Sequence, residues 1–207
     1  MANGWKVDGT KVLERVRSER DRFTGFVVES TEGLPADQRL LGRARFTGPT
    51  TLEVDSHTRV DAKSIVIATG SSPVIPPPFD AIREHVLIND DIFELQDLPQ
   101  SMAVIGTGII GLELGQALHR LGVKIVFFTP FEELGPFTDP AVKIVTREIL
   151  STELDLQLQS EMLDATPVPL AGANLCASLS AGKDLGSLCT SLLEAGGVGS
   201  EYGPTIA

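Results

Sequence analysis

The sequence predicts an α/β fold in which one α/β segment gives way to a second. Three observations carry this. The apolar runs Met102–Ile105 and Val123–Phe128 flank a helical stripe of Ile110, Leu114, Ala117, Leu118 and Leu121, which gives the order strand, helix, strand. Thr51-Leu52-Glu53-Val54-Asp55 alternates apolar and polar, the period of a half-buried strand. Ser64-Ile65-Val66-Ile67-Ala68 is instead a continuous apolar run, expected of a strand buried on both faces.

Each element has its own signal. Asp8 caps a first helix whose Val12, Val16 and Phe23 fall near one face, and Gly25 is expected to end it. Arg43–Phe46, a turn at Gly48-Pro49 and Thr51–Asp55 form a short antiparallel meander. Pro76-Pro77-Pro78 is stiff, is expected to stay out of helix and central strand, and serves as a connector. Asp90–Leu95 forms a short helix that Pro99 closes. Asp139 followed by Pro140 starts a helix running to about Leu150. Leu154–Leu158 is one more short strand. Beyond about Asp164 arginine vanishes, no period survives, and a disordered tail is expected.

Composition narrows the function. The chain has 207 residues, enough for a real core. Its 17 Lys and Arg against 28 Asp and Glu give a net charge of −11, which argues against a nucleic-acid partner. No apolar run approaches a bilayer span, so no membrane partner is expected. Met1-Ala2-Asn3-Gly4-Trp5-Lys6 lacks a secretory apolar core, which makes a cytoplasmic location the expectation. Two cysteines, Cys176 and Cys189, are too few for a disulfide scaffold or an all-cysteine zinc site.

The motif with chemistry is Gly106-Thr107-Gly108-Ile109-Ile110-Gly111, set between a strand and a helix. Gly106 permits the tight turn, Gly108 lets a pyrophosphate approach the backbone, and Gly111 lets helix and strand pack closely. Thr107 reads as filler within the turn. The helix start offers free N–H groups and a positive dipole end. This predicts a dinucleotide as the ligand. The acid expected at the end of the second strand for the ribose is missing, since Thr129 follows Phe127-Phe128. No arginine sits nearby to favour a 2′-phosphate. Glu132 and Glu133 tilt the expectation to NAD, with NADP not excluded.

Val66-Ile67-Ala68-Thr69-Gly70-Ser71-Ser72-Pro73 and Val104–Gly115, in that order, resemble the pyridine nucleotide-disulfide oxidoreductases, and among them most the dihydrolipoamide dehydrogenases. The opening helix, Gly42–Phe46 and Asp90–Phe93 fit the same template, so the resemblance covers about 5–160. It implies a partial FAD-binding domain (helix, β-meander, strand) over 1–75 and a connector over 76–98. The first half of a Rossmann NAD(P)-binding βαβ domain follows over 99–164, then the atypical tail over 165–207. It implies FAD along Ala68, Thr69 and Gly70, with Ala44 near its adenine end. It implies NAD pyrophosphate on Gly106, Thr107, Gly108, Ile109, Ile110 and Gly111, and Thr129 in the slot of the ribose acid. Glu113 matches the family glutamate that pairs with a lysine near the flavin.

The family's flavin G-x-G-x-x-G, its C-x4-C disulfide and its His-Pro do not occur in this sequence, so no catalytic residue is assigned. The reading is therefore a fragment of an FAD- and NAD-dependent dithiol–disulfide oxidoreductase, inactive as this chain. The family is homodimeric, but its interface domain has no counterpart here. The alternative is a small non-catalytic NAD(H)-binding Rossmann module. A simple NAD dehydrogenase is disfavoured, because no acid–base pair stands out. His57, His85 and His119 are dispersed, and His119 is expected on the surface. Asp90, Asp91 and Asp97 read as caps and solvated face.

Overall fold

The computed structural model describes residues 6–160 and 205–206. The chain divides into two compact units, one of Met1–Arg17 with Pro73–Ala207 and one of Ser18–Ser72. Helix α1 (Gly9–Glu32) opens on the Asp8 carboxylate, which accepts from Lys11 N at 3.2 Å. It does not stop at Gly25. A side chain there meets nothing within 4 Å, and one interior glycine costs only about 1 kcal/mol. Of the expected stripe, Val12 and Val16 are only half-buried and Phe23 is 59% exposed; the residue the helix buries is Leu13, beside that stripe. Phe23 stacks edge-on with Phe26 at 6.5 Å, and the Arg22 guanidinium lies 4.6 Å above its ring.

Within 18–72, strands β1 (Ala44–Gly48), β2 (Thr51–Val54) and β3 (Thr58–Asp61) form an antiparallel sheet in the order β1-β2-β3. Arg45 faces Glu53 across the ladder and bonds it at 2.9 Å. Asp55 and Ser56 take positive φ and turn the chain between β2 and β3. The buried strand expected at 64–68 does not form. The backbone is extended there without a ladder, and Val66 and Ile67 are 88% and 70% exposed. A β-branched run makes a strand only where a partner accepts its hydrogen bonds, and among the described residues none lies alongside.

In the other unit, the proline stretch also departs from expectation. Pro77–His85 forms 3₁₀ turns, because a proline in the first turn gives up only an amide that lacks a partner anyway. Phe79 and Ile82 use the kinked run to reach the interior. Asp91–Glu94 is a single 3₁₀ turn, with Asp91 Oδ2 accepting from Ile88 N at 2.8 Å.

Strands β4 (Ser101–Ile105) and β5 (Lys124–Phe128) then pair in parallel, joined by α2 (Ile109–Arg120). Helix α3 (Pro140–Glu153) leads to β6 (Asp155–Gln157), parallel to β5. Asp139 Oδ1 accepts from Ala141 N and Val142 N, the cap the sequence specifies. Thr205–Ile206 forms β7, parallel to β4, so the sheet order is β6-β5-β4-β7. These two residues of the expected tail are ordered as strand; the rest of 165–207, with Cys176 and Cys189, lies outside the described residues. Met102, Val104, Ile125 and Phe127 bury one face of the sheet against Leu118, with Ile92 and Leu154 completing the core.

Candidate functional site

The glycine turn sits where β4 hands over to α2. Gly106 N donates to Phe128 O at 2.7 Å, so the turn is fastened to the end of β5. Gly106 has φ +105°, a conformation that favours glycine. Gly108 caps α2, its carbonyl accepting from Leu112 N at 3.0 Å, and no side chain caps the helix. The first-turn amides of Ile109, Ile110 and Gly111 therefore have no intrahelical acceptor and carry the positive end of the dipole.

The glycines divide their work in space. A Cβ at Gly108 meets nothing within 4 Å, so that position is a gap in front of the helix start. A Cβ at Gly111 would lie 2.6 Å from Gly106 O and 3.4 Å from Val104 Cγ1. Gly111 thus preserves the turn, while Gly108 preserves the approach to it.

The turn lies on a cleft of about 1430 Å³. Gly106, Thr107, Gly108, Ile109, Ile110 and Gly111 line it with Thr129, Glu132 and Glu133, and Phe79, Val86 and Ile92 form apolar wall. Its size exceeds the usual small-molecule pocket and suits an extended ligand. The residues present fit a dinucleotide by chemistry: amides with no acceptor among the described residues for a pyrophosphate, a gap for it at Gly108, and apolar wall for ring faces.

Thr107 is buried, and its carbonyl accepts from Gly135 N at 2.8 Å. This bond ties the loop after β5 to the turn, a link that sequence spacing did not reveal. Gly135 takes φ +67°, a conformation that favours glycine. Thr129 is 1% exposed, and its Oγ1 accepts from Phe131 N at 3.4 Å. Glu132 and Glu133, which tilt the sequence expectation to NAD, are both paired by α3. Arg147 reaches Glu132 at 3.2 Å and Lys143 reaches Glu133 at 2.5 Å.

The remaining sequence candidates are not gathered at this cleft. Glu113 is exposed on α2 and is not part of the lining. Ala44 opens β1, and Ala68, Thr69 and Gly70 lie on extended backbone; all four are exposed and belong to the 18–72 unit. They offer a flavin no enclosure of their own. His119 is half-buried rather than superficial, with Nδ1 enclosed and unbonded among the described residues. Glu153, on α3, accepts from Arg120 Nε at 2.6 Å and from Gln116 Nε2 at 2.8 Å. The Arg120 guanidinium holds its carboxyl down at about 2. Among the described residues no helix is long and apolar enough to cross a membrane, and no cluster of His, Cys, Asp or Glu is placed to hold a metal.

A parallel sheet whose glycine turn opens onto a helix start is the arrangement of the dinucleotide-binding α/β folds. Comparison with known proteins narrows the class. The family model for pyridine nucleotide-disulphide oxidoreductases matches residues 11–169, and the chain belongs to that family. It is 31% identical over 155 residues to a soluble pyridine nucleotide transhydrogenase of Mycobacterium bovis, covering 70% of this chain and 32% of that protein. It is 34% identical over 125 residues to a dihydrolipoyl dehydrogenase of Vibrio cholerae, covering 58% of this chain and 26% of that protein. The chain thus spans about a third or less of the length of these relatives. Among solved structures, LpdA from Mycobacterium tuberculosis superposes with a TM-score of 0.62 at 19% identity, covering 85% of this chain and 40% of that one. The HOCl-induced flavoprotein disulfide reductase RclA from Escherichia coli gives 0.61 at 22% identity, over 79% and 40%. The shared fold is that of flavoprotein disulfide reductases.

Proposed function

We propose that this chain provides the NAD(P)-binding βαβ half, over 99–164, of an FAD-dependent dithiol–disulfide oxidoreductase of the dihydrolipoamide dehydrogenase kind. Residues 1–75 supply part of its flavin domain and 76–98 the connector. The observation that carries the reading is the Gly106–Gly111 turn, with its unpaired amides and the open gap at Gly108 facing the cleft.

In this reading Ile109, Ile110 and Gly111 donate backbone N–H bonds to the pyrophosphate, and the dipole of α2 adds about 0.3–1 kcal/mol. Gly111 keeps the turn closed against β4. Thr129 faces the ribose, and Ala44 and Ala68–Gly70 lie along FAD. Bound FAD and NAD supply the redox chemistry, a dihydrolipoyl dithiol being oxidised as NAD⁺ is reduced. The polypeptide of these 207 residues holds no Cys-x4-Cys and no His-Pro pair, so alone it binds without turnover. A cytoplasmic location belongs to the same proposal.

Calorimetry with NADH tests it, with binding expected at micromolar levels, about −8 kcal/mol. An absorption spectrum after incubation with FAD tests the flavin part: flavin bands that survive gel filtration support it, and a colourless protein removes it. NADH binding without FAD retention favours the second reading, a non-catalytic NAD(H)-binding module, which needs only the sheet built around β4 and β5.

A further inference from the structure

We propose that this nucleotide site does not discriminate against a 2′-phosphate, so that it accepts NADPH about as well as NADH. The inference rests on the nucleotide-site reading above.

In this fold, selection of NAD rests on a carboxylate at the end of the second strand, which bonds the adenosine ribose hydroxyls and repels a phosphate placed there. Here that position is Thr129, which is uncharged and whose Oγ1 is already engaged by Phe131 N. The next carboxylates along the cleft are Glu132 and Glu133. Both are drawn to cations on α3, Glu132 to Arg147 at 3.2 Å and Glu133 to Lys143 at 2.5 Å. The rim at the end of β5 therefore presents two acids matched by two bases. Neither the attraction that selects the free ribose nor the repulsion that excludes the phosphate is built.

The pairs are also adjustable. The Glu132 and Glu133 side chains are 63% and 57% exposed, and ion pairs this open are held weakly. A 2′-phosphate, with its double charge, competes with the glutamates for Lys143 and Arg147 at little cost.

The test is isothermal calorimetry of the full chain with NADH and NADPH separately, at low and at physiological salt. The two dissociation constants are expected within roughly threefold of each other. The variant E132Q/E133Q releases the cations and is expected to shift the ratio about fivefold toward NADPH at low salt, shrinking as salt screens it. K143A/R147A releases the acids and is expected to shift the ratio the other way. All four side chains are at least partly exposed, so both variants are expected to fold. NADPH binding more than about tenfold weaker than NADH in the unmodified chain overturns the inference while leaving the nucleotide-site reading intact. Ratios unmoved by both double variants overturn it as well. Absence of heat with either nucleotide overturns both readings.

Discussion

The ring of Phe127 occupies the space that a side chain at Gly115 would need: a Cβ there would fall 2.7 Å from Phe127 Cε1 and 3.3 Å from Val104 Cγ2. Helix α2 lies this close to β5 because Gly115 has nothing to interpose. Phe127 is fully buried, and the strand bearing it also receives the Gly106 amide at Phe128 O. The packing of α2 and the shape of the glycine turn are therefore mechanically linked.

Gly115→Val is expected to destabilise the fold by about 2 kcal/mol, because overpacking a tight core forces side chains off their rotamers. Urea unfolding followed by circular dichroism checks this. A midpoint equal to that of the unmodified chain would show that α2 can move off β5 freely.

Gly111 and Gly108 are expected to separate folding from binding. Gly111→Ala puts its Cβ against Gly106 O at 2.6 Å, so it should lower both thermal stability and NADH affinity. Gly108→Val places its side chain in open space and should cost only the poorer N-cap, about 1 kcal/mol, while NADH affinity falls at least about tenfold. Thermal melts beside calorimetry distinguish the two.

The Glu153 carboxyl sets part of the acid stability. Its folded pKa is depressed to about 2 from 4.5 by Arg120 and, in smaller part, by the Gln116 hydrogen bond. A depressed carboxylate contributes stability that is present above its unfolded pKa and is lost as pH falls through its folded pKa. The contribution is therefore complete above about pH 5 and fades from there to about pH 2. Glu153→Gln should flatten the denaturant midpoint over this window. An unchanged acid limb in the variant would show that the pair is inert.

Asp139→Ala is expected to cost about 1 kcal/mol, since two amides of the first turn of α3 lose their acceptor. Amide exchange should quicken at Ala141 and Val142 ahead of the rest of α3.

Much of the βαβ unit was legible because its signals are local. Continuous apolar runs, a helical stripe and an aspartate before a proline each act over a few residues; the structure forms all three elements, although of the stripe only Leu118 is buried and Ile110 and Ala117 are exposed. The failures have non-local causes. Residues 64–68 carry strand propensity, but a strand needs a neighbour, and none is described beside them. Gly25 looks like a helix stop, yet in open space it only weakens α1. Pro77 looks like a breaker, yet at the first position of a 3₁₀ turn it fits. At the site, the glycine turn could be placed from its spacing together with the strand and helix patterns on either side of it. The ties that shape its surroundings could not, because Thr107 to Gly135, and Glu132 and Glu133 to α3, join positions that no periodicity relates.

The central claim is that the Gly106–Gly111 turn is a nucleotide site, and NADH calorimetry on the unmodified chain beside Gly108→Val tests it most directly. The account predicts micromolar binding, about −8 kcal/mol, by the unmodified chain, and loss of that heat in a variant that still melts cooperatively. Equal binding by both, or no binding by the unmodified chain at millimolar NADH, would contradict it.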